Sequence, residues 1–314
     1  MIHLTIRQME YFEALAETLH FGRAARLVGV TQPALSAQIA ELERRLGCRL
    51  FERDARTVRL TEHALSIRPR IERLLADIRE LEAKAGGERE AMQGRFRLGV
   101  IPTIAPYFLP SVLPALKARF PMLSVELRES VTQTLVEETV AGQLDAIVAA
   151  LPLHHGALTV EQLFPDRFFL AVPAADKNFI APPVAPESPE LERLMLLEEG
   201  HCLRDQALAI CGAVRPKAMA SFGATSLTTL LQMVAHGQGI TLIPEMAAAS
   251  GGMDGIRVVP FAKPEPARAI GMAWRRNSSR QKDCQALARF LADVGGRSAG
   301  QEVDGQHAPH HAQQ

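Results

Sequence analysis

Apolar residues recur at helical spacing from the start of the chain. Met9, Phe12, Leu15, Ala16 and Leu19 define one stripe, and Thr5 followed by Gln8 predicts a capping box at its beginning. Ala24, Ala25, Leu27 and Val28 form a second, shorter stretch that ends at Gly29, a residue suited to left-handed helix termination. A third stripe, Leu35, Ile39, Leu42 and Leu46, has Thr31 at its cap position and Pro33 in its first turn, and Gly47 stops it. Helix, four-residue turn, helix is the helix-turn-helix arrangement. Alternation through Thr57, Val58, Arg59 and Leu60 then predicts a short hairpin, a wing beside the second helix of the motif.

From residue 61 to about 84 the helical period returns, with Leu65, Ile71, Leu74, Leu75, Ile78 and Leu81 on one face. That face is too long for so small a module to bury, which predicts pairing with the same helix of a second copy. Pro69 removes a backbone donor and predicts a kink or the loss of the first two turns. Gly86, Gly87 and Gly94 mark a join. Beyond it strands and helices alternate: FRLGVIPT, then PYFLPSVLPALKARFP, LSVELRES and LDAIVAAL, with a second set in FFLAVPA (from Phe168), LMLLEEG, GITLIP, AIGMAWR and a last helix around 286–294. This pattern predicts an α/β unit with a mostly parallel sheet and two lobes, and a ligand cleft at strand carboxyl ends beside helix N-termini. The expected divisions are a winged helix-turn-helix at 1–60, a linker and dimerisation helix at 61–93, a two-lobed effector domain at 94–294, and a solvated tail at 295–314. His307, His310 and His311 read as part of that tail and not as a metal site.

The composition adds limits. With 314 residues, 47% hydrophobic and 22% charged, the chain has material for two cores and is no collagen, coiled coil or disordered polymer. Lys and Arg number 35 against 35 Asp and Glu, so a nucleic-acid site has to be a local basic patch. Residues 44–59 supply one, with Arg44, Arg45, Arg49, Arg53, Arg56 and Arg59 against Glu52 and Asp54, where a phosphate backbone would lie. Cysteines at 48, 202, 211 and 284 have no framework spacing and read as reduced thiols of a cytoplasmic protein. The N-terminal residues lack a leader pattern, and no apolar run approaches the roughly 18 residues of a membrane span, so no membrane association is expected. Neither a phosphate-binding loop, a zinc-protease motif nor a nucleophile elbow occurs, and no enzyme activity, cofactor or metal is expected.

The segment FGRAARLVGVTQPALSAQIAELERRLGCRLFER resembles the N-terminal signature of LysR-type transcriptional regulators, and GVIPTIAPYFLP, FGATSL, GQGITLIP and KPEPARAIG extend the likeness to nearly the whole chain before the tail. The resemblance implies a linker helix followed by a two-lobed effector domain similar to periplasmic binding proteins. It implies double-stranded operator DNA and RNA polymerase as partners, and homodimers that assemble into homotetramers. It places Gln32, Pro33, Ser36 and Gln38 toward the major groove, with Thr31 capping the recognition helix, and the basic run adds Arg53 and Arg56 as DNA contacts. Glutamine offers a donor and an acceptor to a base edge. Ala37 stands where many members carry a basic residue, which shifts weight toward phosphate contacts and DNA shape.

Residues 196–211, LLEEGHCLRDQALAIC, are similar to the redox segment of the peroxide-sensing members of that family. The similarity implies that Cys202 reacts with hydrogen peroxide and Cys211 resolves the product as a disulfide. It places Thr103, Thr132, His201, Arg204 and Arg268 around the peroxide, with Asp205 orienting the arginine or a water. Some relatives have histidine where this chain has Ser221. Cys202 at a helix N-terminus, with Arg204 and Asp205 within reach, is expected to favour its thiolate, the attacking form. Nine residues of helix advance about 13.5 Å and rotate about 900°, whereas a disulfide holds its Cα atoms roughly 4.4–6.8 Å apart. If residues 202–211 are helical when reduced, the bond can form only by unwinding them. Cys48 and Cys284 read as small buried hydrophobes. Two alternatives remain: a family member that binds a small organic anion without redox chemistry, and a thiol peroxidase, against which stands the absence of a Cys-x-x-Cys pair.

Overall fold

The computed structural model describes residues 4–53, 57–85, 91–176, 182–186, 188–211, 224 and 226–299. The chain divides into two compact units, Met1–Arg89 with Val140–Gln143, and Glu90–Thr139 with Leu144–Gln314.

The first unit opens with α1 (Ile6–Thr18), α2 (Phe21–Leu27) and α3 (Gln32–Leu46). Thr5 and Gln8 make the reciprocal capping box. Phe12, Leu15 and Ala16 bury the α1 stripe against Leu35, Ile39 and Leu42 of α3. Leu19 does not share that stripe: it is the left-handed C-cap of α1 (φ 48°) and its side chain turns out to solvent. His20 caps α2, its Nδ1 accepting from the backbone N–H groups of Gly22 and Arg23 at 3.1 and 3.3 Å. Gly47 ends α3 at φ 71°, where a β-carbon would be strained.

The wing is β1 (Phe51–Arg53) antiparallel to β2 (Val58–Leu60), with Phe51 opposite Leu60. Glu43 Oε1 ties it to α3 by accepting from Leu50 and Phe51 N–H at 2.9 and 3.1 Å. The linker helix α4 (Glu62–Ala85) is capped by Thr61, whose hydroxyl accepts from Ala64 N–H. Pro69 neither breaks it nor splits off its first turns: the helix runs through, and both Pro69 and Leu65, four residues earlier, are exposed. Its apolar face divides. Ile71 and Leu75 return to the helix-turn-helix core, while Leu74 and Leu81, one heptad apart, are 48% and 67% exposed.

The second unit begins with β3 (Gly94–Val100), α5 (Ala105–Arg119), β4 (Leu123–Glu129), α6 (Thr132–Val140) and β5 (Ala146–Ala150). A long β6 (Leu158–Pro173) leads through a 3-10 turn (Pro189–Arg193) to β7 (Leu194–Met195), α7 (Cys202–Cys211) and α8 (Leu227–Ala235). Then come β8 (Ile240–Pro244), α9 (Glu245–Ala249), β9 (Ile256–Pro260), β10 (Ala267–Arg275) and α10 (Gln281–Ala299), which runs past the expected end at 294. Residues 300–314, with the three tail histidines, lie outside the described residues.

The strand order is β4-β3-β5-β10-β6-β8-β7, with β9 also on β6. The sheet is mixed and not mostly parallel. β3 pairs parallel with β4 and β5, and β7 with β8, but β10 runs antiparallel to both β5 and β6, and β6 antiparallel to β8 and β9. The reason is that β6 and β10 serve both lobes. The first half of β6 belongs with β10, and its second half, from Phe168, carries a second core made with β8, β9, α7 and α8. Gly99 lets helix and sheet meet closely in the first lobe, since a β-carbon there would stand 2.8–2.9 Å from Leu135, Leu144 and Ile147 side chains. Arg280, stacked 4.7 Å over Phe96, ties α10 to the start of β3 through Gln93 O, and Asp283 accepts from Met92 N–H at 2.7 Å.

A buried arginine beside a thiol

Strand pairing sets the centre of the site. Arg268 on β10 lies directly opposite Asp166 on β6, and both are 3% exposed. Arg268 Nε donates to Asp166 Oδ2 at 2.9 Å, Nη1 to Thr103 Oγ1 at 2.9 Å and Nη2 to Thr103 O at 3.1 Å. Nη2 also lies 4.0 Å from Met246 Sδ, and Met246 N–H donates to Asp166 Oδ1 at 3.1 Å. A guanidinium has five N–H donors; the described residues leave one of them, on Nη1, for a ligand. Phe168 lies under the cation, 5.8 Å from its ring centroid. Burial pushes the Asp166 carboxyl up, against the pull of Arg268.

Strand-to-helix turns bring the other groups to this cation. Thr103 follows β3 just before α5, Thr132 opens α6 after β4, and Cys202 is the first residue of α7. The Arg268 charge acts on the Cys202 thiol, and the Thr132 hydroxyl also favours its charged form. Thr132 Oγ1 is nevertheless buried without a full hydrogen bond among the described residues. Such an orphaned hydroxyl at a polar site is a place for a small hydrogen-bonding ligand.

The electrostatics correct the sequence reading in two respects. Burial pushes the Cys202 thiol up, against the opposing pull of Arg268, the Thr132 hydroxyl and the Leu203 backbone. The cation that faces it is not Arg204, which donates to Leu197 O at 3.1 Å and lies 3.8 Å from Glu199. Asp205 is exposed and disfavours the thiolate; the carboxylate that orients the arginine is Asp166. His201 is partly buried, and burial lowers its pKa against the opposing charge of Glu198. Cys211 closes α7 and is described in its backbone alone; Ser221 lies outside the described residues. Cys284 is fully buried, with its thiol held well above the usual range first by burial, whereas Cys48 is only partly buried against the helix-turn-helix core.

On the DNA-facing unit, Thr31, Gln32, Pro33 and Gln38 are exposed along α3 and Ser36 is partly buried. Thr31 occupies the N-cap, but its side chain makes no capping bond. Gln38 Oε1 accepts from the buried Gln8 at 3.3 Å, which fixes its orientation. Arg53 lies on β1 and is described in its backbone alone, and Arg56 is outside the described residues. The basic run is weaker than its sequence count. Arg44 and Arg45 both bind Glu41, at 2.5 and 2.6 Å, and those hydrogen bonds lower the Glu41 carboxyl. Among the described residues no group of three or more acidic, histidine or cysteine side chains has metal-binding geometry, and no helix is long and apolar enough to cross a membrane.

A winged helix-turn-helix, a long linker helix and an α/β unit with a small polar site at helix N-termini define a DNA-binding regulator controlled through its effector unit. Residues 6–65 match the family of bacterial regulatory helix-turn-helix proteins of the lysR type, and residues 89–296 match the LysR substrate binding domain. The chain belongs to the LysR family of transcriptional regulators. It is 38% identical over 293 residues to the DNA-binding transcriptional dual regulator OxyR of Escherichia coli K12, covering 92% of this chain and 95% of that protein. It is 37% identical to the hydrogen peroxide-inducible genes activator of Haemophilus influenzae, covering 92% and 97%. A full-length OxyR of Pseudomonas aeruginosa with a cysteine-to-aspartate substitution superposes with a TM-score of 0.75 at 32% identity, over 93% of this chain and 97% of the other. A peroxide-bound OxyR of Corynebacterium glutamicum with a cysteine-to-serine substitution gives 0.64 at 29% identity, over 95% and 94%.

Proposed function

We propose that this regulator senses hydrogen peroxide through Cys202 and Cys211 and thereby controls genes of the oxidative-stress response. The observation that carries the reading is the Cys202 thiol at the head of α7, in the field of the buried Arg268 and beside the unsatisfied hydroxyl of Thr132. Thr103 and Arg268 supply preorganised donors for the oxygen on which charge develops. Thr132 holds the peroxide at the thiol, and His201 offers a further donor. The Cys202 sulfur attacks one peroxide oxygen, the O–O bond breaks, and the proton released by the thiol ends on the departing hydroxide. The products are a sulfenic acid and water. The Cys211 thiol then displaces the sulfenic hydroxyl as a second water and forms the disulfide.

Cys202 and Cys211 are the first and last residues of the ten-residue helix α7, and a disulfide needs Cα atoms within about 7 Å. The bond therefore costs the helix, and the loss of α7 is the structural signal. Thr31, Gln32, Pro33, Ser36 and Gln38 read the operator, with Arg53 and Arg56 on the phosphate backbone. Leu74 and Leu81 of α4 suit a homodimer, with tetramers on DNA, RNA polymerase as partner and the cytoplasm as compartment. The sensing thiol is used once per signal and turns over no substrate.

The test is a titration of the reduced protein with hydrogen peroxide, quenched by alkylation and read by non-reducing peptide mass spectrometry. A Cys202–Cys211 link that forms at low peroxide and is absent in Cys202→Ser is the expected result. Two thiols that stay alkylatable would leave a small anion at Arg268 as the effector.

A further inference from the structure

The Arg268 side chain is 1% exposed and Thr103 is 2% exposed, so a molecule that reaches this cation has to pass the groups that cover it. Helix α5 supplies one of them, because its first turns face both lobes. Phe108 packs within the first lobe, 5.2 Å from Phe164. Its neighbour Tyr107 leaves that lobe and packs against the second core, the one made with β8, β9, α7 and α8. There the phenol is hydrogen-bonded to the side chain of Thr228, in the first turn of α8. The Arg268 charge acts on the same phenol, which sets Tyr107 beside the anion site and not in a remote part of the cleft. Burial raises the phenol pKa, so the group stays protonated at neutral pH. Tyr107 is partly buried and Thr228 exposed, and the bridge between the lobes therefore lies at the mouth of the site.

We propose that Tyr107 sets the size of the oxidant that this sensor accepts, its ring spanning the approach to Arg268 so that hydrogen peroxide passes and alkyl hydroperoxides do not. The proposal rests on the reading of Cys202 as the peroxide-reacting thiol. An alkyl hydroperoxide presents the same terminal oxygen to the sulfur. Cys202 attacks that oxygen, the O–O bond breaks, and the departing alkoxide takes the thiol proton. The products are a sulfenic acid and an alcohol, with sulfur oxidised and the hydroperoxide reduced. Arg268 and Thr103 stabilise the charge on the departing oxygen in either case, so these donors separate the two oxidants little and the walls of the site have to do it. With hydrogen peroxide the departing oxygen carries one hydrogen. With an alkyl hydroperoxide it carries a carbon group that has to be housed beside Arg268, under the Tyr107 bridge. The ring cannot swing aside for that group without losing both its bond to Thr228 and its packing on the second core. One methylene that does not fit a pocket is worth about 10- to 200-fold in selectivity.

The full-length reduced protein, treated with hydrogen peroxide or with tert-butyl hydroperoxide, tests this through the rate at which Cys202 ceases to be alkylatable, read by peptide mass spectrometry. The ratio of the two rates is compared between wild type and variants, which cancels the intrinsic reactivities of the oxidants. Tyr107→Ala is expected to lower the ratio at least about tenfold, by speeding the reaction with the bulky oxidant. Tyr107→Phe keeps the ring and loses only the bond to Thr228, and is expected to lower the ratio by about two- to tenfold. Where Tyr107→Ala folds, its ratio decides; where it does not, that of Tyr107→Phe does. An unchanged ratio, in a preparation whose wild type forms the Cys202–Cys211 link, overturns the proposal and leaves the sensor standing. Slowing of both oxidants alike has the same meaning, since Tyr107 is then only a tie between the lobes. A wild type whose Cys202 stays alkylatable under hydrogen peroxide overturns the sensing reading and this one together.

Discussion

Arg268 and Asp166 are neighbours across two strands, yet 102 residues separate them in the chain. Neither side chain reaches water, so each compensates the burial of the other. Asp166→Ala leaves a buried cation unpaired and is expected to destabilise the protein by about 3–5 kcal/mol, read as a lower urea midpoint; an unchanged midpoint would mean that water reaches Arg268. The thiol gives a prediction of opposite character. Because burial raises the Cys202 pKa, the reactive thiolate is scarce at neutral pH and is gained as pH rises. Alkylation of Cys202 by iodoacetamide is expected to accelerate without a plateau up to at least pH 9, the ordinary value for the thiol. A plateau near neutrality would show a depressed pKa instead. Helix N-terminus and nearby cations can be read from HCLRDQ, but desolvation cannot, and burial acts on the thiol in the opposite direction. Thr103, Thr132, Cys202 and Arg268 were legible only through family resemblance. Asp166 escaped because an aspartate after a proline in LFPDRFF looks like a turn residue.

Secondary structure was most legible where period and caps agreed, as in α1 with its Thr5–Gln8 box and α3 with Pro33 and Gly47. It was least legible in β6, expected only from Phe168 although the strand starts at Leu158. Pro165 reads as a breaker, yet it sits opposite Ala269, close to the register shift at Ile270 and Gly271, where a lost ladder bond matters little. The His20 cap was missed for a similar reason, since an imidazole nitrogen is not among the usual capping groups. At this scale α7 gives the sharpest expectation. It is a complete helix from Cys202 to Cys211, so disulfide formation has to break its hydrogen bonds. Amide exchange across 202–211 is expected to rise on peroxide treatment and to stay unchanged in Cys211→Ser. Retained protection in the disulfide form would contradict the helix-to-signal argument.

For the whole molecule, the change of period near Gly94 pointed to a new unit, and the compact units divide at Arg89 and Glu90 but assign Val140–Gln143 to the first; the mixed sheet was not legible. Parallel grammar was inferred from alternation along the chain, and the pairing of β10 between β5 and β6 is a long-range fact. Charge shows the same limit: a count over 44–59 omits Glu41, one turn earlier, which holds Arg44 and Arg45. Replacing Arg53 with alanine is expected to weaken operator binding across sequences and reduce the slope of log affinity against log salt by about one. Arg44→Ala is expected to change that slope less, because its charge already rests on Glu41. Equal effects in a salt titration by fluorescence anisotropy would show that DNA draws Arg44 away.

The place of β10 also governs how the protein comes into being. Made after both of its neighbours, it fills the gap between β5 and β6, while Asp283 reaches back 191 residues to Met92. Until residues 267–275 emerge from the ribosome, β5 and the first half of β6 each present an open edge on which other chains can pair. The effector unit therefore cannot fold progressively as it is translated. It waits for its last strand and helix, and a nascent chain stopped before them is an aggregation-prone pair of half-sheets and not a smaller sensor.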